Sequence, residues 1–231
     1  GGVIEERNRI NQRFKNRHFR KFANITQVMV FSNNMEYEDG IVEPVFGAFY
    51  ATSAYSDLHF NYFREDESYP VKQKLLSISE QQENDILKDN NLLVIKHNPE
   101  FGTNKSEYSP THRILTSLFS RERLAFVLKY AIAFVDEIKD GGTGGKEKHI
   151  MRYPQLFATL AIATKLDEGK NKGIIWHTQG SGKTALAYYN VKHLTDYYQK
   201  KKTIPKFYFI VDRLDLLIQA STEFSNRGLK V

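Results

Sequence analysis

The residues best suited to chemistry lie between positions 176 and 184, where the chain reads WHTQGSGKT. Gly180 and Gly182 allow the backbone to curl so that several N–H groups point at one anion. Lys183 is placed to reach the β- and γ-phosphates of a nucleotide, and Thr184 to put its hydroxyl on Mg²⁺. This segment therefore predicts a phosphate-binding loop that uses ATP and Mg²⁺.

The flanking sequence supplies the context that such a loop requires. Residues 173–176 read as a buried strand, and residues 183–198 read as an amphipathic helix, whose N-terminus adds a positive dipole end. His177 stands where the strict pattern has its first glycine, and helicase-like motors relax that position. The alternative reading is a glycine-rich turn between two core elements.

The last third of the chain alternates helices with apolar strands. The pattern predicts helices over 153–166, 183–198 and 214–224, with strands over 173–176 and 207–211. Such alternation is typical of a parallel sheet with crossover helices, and hence of an α/β fold.

Upstream, the pattern mixes strands with short helices. An apolar run at 28–31 predicts a strand that ends in a turn at 32–34, and residues 45–55 predict a strand or hairpin with Gly47 as a bulge. Short helices are predicted over 72–76 and 80–87.

Two further features mark the middle of the chain. Ser120 is a candidate N-cap, although Arg123 stands where a capping box would have glutamate, and apolar residues follow at helical spacing. Residues 140–146 hold four glycines in five positions and predict a linker.

Composition limits the kind of protein this is. The 231 residues are 41% hydrophobic, and no run of about 18 apolar residues exists, so neither a membrane span nor a membrane partner is expected. There is no cysteine, which excludes disulfides and thiolate metal sites and fits a cytoplasmic protein. The net charge of +6 favours polyanionic partners only mildly. Both ends read as cuts through a longer protein.

The loop and the segment after it resemble a known family. Residues 177–184, followed by Val-Asp-Arg-Leu-Asp-Leu at 211–216, are similar to the R subunit, the restriction and motor subunit, of type I restriction enzymes. Residues 152–155 (RYPQ) resemble the adenine-reading Q motif of that family. Residues 27–33 resemble its strand after the nuclease motif, and residues 111–119 its linker between nuclease and motor.

The resemblance implies a three-part organisation. Residues 1–105 would be the C-terminal part of a nuclease-like α/β domain of the restriction-endonuclease fold, and residues 106–149 a helical linker ending in the glycine-rich loop. Residues 150–231 would begin a RecA-like motor domain with a parallel sheet. The family's R subunit cleaves double-stranded DNA after ATP-driven translocation, in a complex with a methylation subunit and a specificity subunit.

The resemblance also assigns roles to residues. Lys183 and Thr184 would act in catalysis, and Thr184 would hold Mg²⁺ through the bound ATP. The residues expected to contact ATP are Gln155, Gln179, Gly180, Ser181, Gly182, Lys183 and Thr184. Gln155 would pair with the adenine edge, because an amide matches its adjacent donor and acceptor; the alternative is an exposed residue at a helix start. Arg213 and Gln219 would contact the DNA backbone or serve as helix-cap and surface residues.

The nuclease half departs from the family. No Asp followed by Glu-x-Lys occurs in residues 1–70, so the catalytic carboxylates are expected before Gly1. Gln12 is the candidate for the family's glutamine, but Asn16 stands where the family often has tyrosine, and an ordinary polar helix residue is the favoured reading. The opposite wall of the ATP site is expected beyond Val231, so the fragment alone should hydrolyse ATP poorly.

Seven cations occur between Arg7 and Lys21, interleaved with phenylalanines. Such a helix could follow a DNA backbone or could simply be a solvated face with the rings packed inward.

Other functions stay open on the sequence. They are a superfamily 2 DNA helicase or translocase without nuclease activity, a small-molecule kinase or nucleotide-binding switch, and an interaction scaffold. An upstream Asp…Glu-x-Lys motif would separate the first from a restriction subunit.

Overall fold

Two antiparallel sheets organise the chain, and helices surround them. The computed structural model describes residues 3–36, 45–54, 58–65, 68–137 and 145–230. The chain begins with helix α1 (Val3–Lys15), a 3-10 turn (Arg17–Phe19) and helix α2 (Arg20–Ile25). Glutamates in the first turn of α1 and basic residues in its last turn match the helix dipole.

The first sheet has three strands in the order β1 (Met29–Glu36), β2 (Val45–Ala51) and β3 (Asn61–Phe63). The predicted strand starting at residue 45 is confirmed. Asn33 pairs with Gly47 and Glu36 with Val45, so residues 34 and 35 of β1 lie opposite the single residue 46, and the extra residue is in β1 and not at Gly47.

The predicted turn at 32–34 is wrong, because β1 continues through these polar residues. Asn34 is buried, and its amide donates to Asn104 Oδ1 (2.8 Å) and to the Thr103 carbonyl (3.3 Å). Ser32 bonds to the Thr111 hydroxyl. Distant partners therefore satisfy side chains that would otherwise favour a turn.

Short helices fill the middle of the chain, in accord with the sequence. These helical elements are α3 (Val71–Lys74), α4 (Glu80–Asp89), a 3-10 turn (Leu93–His97), α5 (Pro99–Thr103), α6 (Pro110–Ser117), α7 (Arg121–Phe126) and a π-helical turn (Val127–Ala131). The Ser120 cap is incomplete as expected, since its side chain makes no cap hydrogen bond.

A β-hairpin that the sequence analysis did not predict follows this turn. It pairs β4 (Ile132–Glu137) with β5 (Gly145–Ile150) from Ile132↔Ile150 to Glu137↔Gly145. The last two residues of the predicted linker, Gly145 and Lys146, lie in β5, and residues 138–144 lie outside the described residues.

The three predicted helices of the last third are confirmed as α8 (Tyr153–Asp167), α9 (Lys183–Lys200) and α10 (Leu214–Asn226). The predicted strands 173–176 and 207–211 are wrong for the described part of the chain, where no parallel sheet forms. The backbone N–H and C=O groups of these two segments pair with no strand in the described residues. Both segments are largely exposed, Trp176 by 90% and Ile210 by 95%.

One hydrophobic core joins the two sheets to the helices around them. Its buried members include Tyr50 from β2, Ile114 from α6, Leu156 from α8 and Tyr189 from α9. The Tyr50 hydroxyl donates to the Met151 carbonyl at 2.5 Å, and burial raises the pKa of this phenol far above its usual range. The first sheet and the start of α8 are thereby held together. Among the described residues, no helix is long and apolar enough to cross a membrane.

Lys148 of β5 is buried and bonded to the end of α2. Its Nζ donates to the carbonyls of Ala23 (2.8 Å), Asn24 (3.1 Å) and Thr26 (2.9 Å) and to Ser53 Oγ (3.0 Å). These carbonyls form the negative end of the α2 dipole, which favours a cation. A single ammonium therefore joins the hairpin to the N-terminal helices.

Replacing this ammonium should destabilise the fold. Lys148→Met keeps the aliphatic stem but removes the ammonium from three carbonyls, which keep only the weaker neutral donors Ser53 and Gln27, at a cost of about 2 kcal/mol. Urea unfolding followed by circular dichroism measures it. Lys146→Met, at an exposed position of the same strand, is the matched control and should leave the midpoint unchanged. Equal midpoints for both variants would contradict the role of Lys148.

Candidate nucleotide site

Two left-handed glycines shape the loop before α9. Gly180 and Gly182 have φ values of +76° and +79°. Gly182 is the N-cap of α9, which begins at Lys183, as the sequence predicts. Residues with a Cβ rarely adopt this backbone, so the glycines permit the chain to enter the helix directly from the loop.

The loop closes around the side chain of its own lysine. Lys183 Nζ donates to the Thr178 carbonyl at 3.0 Å and to the His177 carbonyl at 3.3 Å. Because Lys183 is exposed, an anion from solvent can replace these two carbonyls as the hydrogen-bond partner of its ammonium.

Donors for an anion converge at the start of α9. The first hydrogen bond into the helix runs from the Leu186 N–H to the Gly182 carbonyl, so the N–H groups of Lys183 and Thr184 precede the helical ladder. Ser181 Oγ is buried and has no hydrogen-bond partner among the described residues. A phosphate group at this position would satisfy these donors.

Gln155 fastens the loop to the first turn of α8. It is buried, its Nε2 donates to the Gly182 carbonyl at 2.9 Å, and its Oε1 accepts from the Arg152 N–H at 2.8 Å. A Cβ added to Gly182 would lie 2.5 Å from Gln155 Nε2. The amide expected to read adenine therefore bonds to the backbone in this structure, and the alternative of an exposed residue is wrong.

Arg152 supports the same junction from the other side. Its Nη1 donates to the Gly180 carbonyl at 3.2 Å. This role of Arg152 could not be predicted, because a contact between a side chain and a loop carbonyl far along the chain has no sequence signal.

The remaining predicted residues are spread around the loop. Gln179 is exposed and lines a cavity beside the loop. Thr184 is half-buried and lines a smaller cavity together with Gln219 of α10, while Arg213 is exposed and bonds to Asp215 at 2.6 and 3.1 Å. Gln12 is an exposed residue of α1, as the ordinary reading has it.

The cavity beside the loop has a volume of about 720 Å³, within the ~300–1,000 Å³ range of small-molecule sites. The loop residues 178–181 and residues 152–154 form one wall. The cavity is also lined by residues of α1 and by residues 58–62, which are far from the loop in sequence.

No group of three or more His, Asp or Glu side chains suited to a metal ion occurs in the described ranges. The Thr184 hydroxyl is the oxygen of the loop expected to bind Mg²⁺ together with the phosphates of a nucleotide. Mg²⁺ is bound in this way in many nucleotide sites, with water completing the octahedron.

Comparison with known proteins finds similarity to restriction enzymes in the loop region. Residues 148–230 match the family model described as "Type III restriction enzyme, res subunit". The chain is 44% identical over 82 residues to MjaVIIP of Methanocaldococcus jannaschii, a protein whose name places it among type I restriction enzyme endonuclease subunits. The resemblance is confirmed: this chain is similar to the endonuclease subunits of type I restriction enzymes.

Other restriction endonuclease subunits show the same likeness. The Staphylococcus aureus (strain COL) type I subunit SauCOLORF180P is 39% identical over 75 residues, or 32% of this chain. MjaVIIIP of M. jannaschii, named as a type I endonuclease subunit, is 32% identical over 110 residues, or 44% of this chain. The matches cover 33% of this chain for MjaVIIP and only 7%, 8% and 10% of the three relatives, in the order given. No solved structure matches the chain.

Gly182→Ala should disrupt the loop for two reasons, the positive φ and the collision with Gln155. Backbone strain of this kind costs about 1–3 kcal/mol, so the thermal unfolding midpoint should fall. The control is Gly173→Ala, because a Cβ there meets no atom within 4 Å. Unfolding by differential scanning fluorimetry compares the two variants, and equal midpoints would refute the geometry given for Gly182.

Proposed function

We propose that residues 177–184 bind the phosphates of ATP and that the chain is part of the ATP-dependent, DNA-translocating and DNA-cleaving subunit of a type I restriction system. The observation that carries the proposal is the closed loop around Lys183 at the start of α9. This loop lies within the residues matched by the restriction-enzyme family model.

The side chains of the loop have distinct roles in this proposal. Lys183 releases the carbonyls of His177 and Thr178 and pairs with the β- and γ-phosphates. Ser181, whose hydroxyl is buried without a described partner, donates to a phosphate oxygen. The N–H groups that begin α9 surround the anion, and Thr184 places its hydroxyl on Mg²⁺.

Binding and hydrolysis make different demands on this site. Hydrolysis requires an acidic group that holds Mg²⁺ and orients the attacking water. After the loop, the first acidic side chains in sequence are Asp196, which pairs with Lys129, and Asp212 and Asp215, of which Asp215 pairs with Arg213. We infer that this chain binds ATP but turns it over slowly.

Titration calorimetry with Mg-ATP tests the loop assignment. Lys183→Ala should weaken binding at least tenfold, because a cation next to the phosphates is lost. Lys200→Ala, at the exposed end of the same helix, is the control and should bind like the unaltered chain.

A steady-state assay should find little ATP hydrolysis with or without DNA; rapid turnover would refute the inference on hydrolysis.

The further proposals concern the whole protein. The names of the relatives support an endonuclease, and the family resemblance supports double-stranded DNA as its substrate. The methylation and specificity subunits of the restriction complex are proposed as partners on the basis of the same family resemblance.

The N-terminal basic residues are the proposed DNA contacts within this chain. Phe14 of α1 is buried. Arg13 of α1 and Arg17 of the following 3-10 turn are exposed, and they pair with no acidic side chain among the described residues. The buried ring of Phe14 holds this segment on the protein while the two arginines stay in solvent. This arrangement is consistent with a segment that lies along a phosphate backbone.

Salt dependence distinguishes such a DNA contact from a merely solvated face. Replacing both Arg13→Gln and Arg17→Gln should lower the slope of log K against log salt by about 2, close to 0.9 for each lost phosphate contact. Fluorescence anisotropy with a DNA duplex measures it. The control replaces two exposed lysines, Lys170→Gln and Lys172→Gln. An unchanged slope in the arginine variant would remove the helix from the DNA interface.

A further inference from the structure

One peptide group of the loop is held from both of its sides. The Gly180 carbonyl accepts from Nη1 of Arg152 at 3.2 Å. The N–H of Ser181 belongs to the same peptide group and donates to the Thr178 carbonyl at 3.4 Å. In a trans peptide the C=O and the N–H point in opposite directions. A hydrogen bond that fixes the carbonyl therefore also fixes the direction of the N–H.

The N–H of Ser181 shares its acceptor with the lysine of the loop. Lys183 Nζ donates to the same Thr178 carbonyl at 3.0 Å. A backbone amide and an ammonium thus converge on one oxygen atom, which is how a phosphate oxygen is bound at the start of a helix. The Thr178 carbonyl marks the place where a phosphate oxygen would accept from both donors.

The backbone that carries Arg152 is fixed by three hydrogen bonds. Its own N–H donates to Gln155 Oε1 at 2.8 Å. In the preceding residue, Met151, the N–H donates to the Ala131 carbonyl at 2.9 Å and the carbonyl accepts from the Tyr50 hydroxyl at 2.5 Å. Met151 and Tyr50 are both buried in the main core. The guanidinium therefore reaches the loop from a fixed origin.

Gly180 has little else to hold it. Its φ of +76° lies in the left-handed region, and a Cβ added to it would meet no atom within 4 Å. Packing does not restrain this residue, and a glycine without such restraint adopts many backbone conformations. The hydrogen bond from Arg152 selects the one in which the Gly180 carbonyl points away from the shared oxygen.

We propose that Arg152 is a positioning residue for phosphate binding. Its guanidinium turns the peptide group between residues 180 and 181 so that the Ser181 N–H faces the phosphates together with the Lys183 ammonium. This inference rests on the proposed phosphate site. Arg152 acts through the Gly180 carbonyl and needs no contact with the phosphates. A donor that already points at the anion binds it more tightly than one that must first be ordered.

The test uses two ligands, tripolyphosphate and ATP, each with Mg²⁺ and the full 231-residue chain. Arg152→Met removes the donor and keeps an unbranched side chain, so titration calorimetry should find both ligands weakened about fivefold, as for one lost hydrogen bond. Arg121→Met, at an exposed position of α7, is the control and should bind like the unaltered chain. Unchanged tripolyphosphate affinity in Arg152→Met would overturn the inference.

The dependence on salt separates positioning from a direct contact with the phosphates. Salt would screen an ion pair between the Arg152 guanidinium and the ligand, so a direct contact predicts that Arg152→Met loses less affinity at high salt than at low salt. Positioning predicts the same loss at low and at high sodium chloride. A loss of tripolyphosphate affinity that disappears at high salt would overturn the positioning role.

A conservative variant tests whether donation to the carbonyl is the cause. Arg152→Lys keeps a cationic donor that can bond to a carbonyl, and it should recover most of the affinity lost in Arg152→Met. Equal losses in the two variants would count against the Gly180 carbonyl as the group through which Arg152 acts. Matching circular dichroism spectra and unfolding midpoints establish that each variant is folded, as expected for an exposed side chain.

The outcome also distinguishes this inference from the proposed function. Lys183-dependent binding of tripolyphosphate that is unaffected by Arg152→Met would overturn the role of Arg152 and leave the phosphate loop in place. Absence of Lys183-dependent binding of either ligand would overturn both proposals.

Discussion

The site depends on one side-chain amide. Gln155 bonds at the same time to the backbone of its own helix start and to the last glycine of the loop, so α8 and α9 begin at a defined separation. Leu156, the next residue, and Tyr189 of α9 are both buried in the main core. The loop therefore takes its shape from the packing of two helices, and the two glycines permit that shape.

Polar contacts connect the N-terminal elements to the rest of the chain. Lys148 binds the carbonyl end of α2, and Arg123 pairs with the buried Glu65 while its guanidinium lies over the ring of Phe157. Buried charges are costly unless they are paired, so these contacts favour one relative placement of the elements over others. In that placement, residues of α1, residues 58–62 and the phosphate loop line one cavity.

The segments 173–176 and 207–211 show the limit of local pattern. Their apolar, β-type residues satisfy the sequence rules for strands, and yet both remain outside the sheets and largely exposed. A helix satisfies its hydrogen bonds within one segment, whereas a strand needs a second segment beside it. The helices α8, α9 and α10 were accordingly predicted correctly, whereas the predicted strands and their parallel sheet were wrong for the described residues.

The sequence alone determined the loop, its lysine and its glycines, because that chemistry is encoded in consecutive residues. It also determined the likeness to restriction endonuclease subunits, which the family comparison confirmed over residues 148–230. Tertiary structure alone decided that Gln155 holds the loop, that polar residues 32–34 lie within β1, and that residues 58–62 and the loop line one cavity. These features join residues far apart in the chain, and only packing brings such residues together.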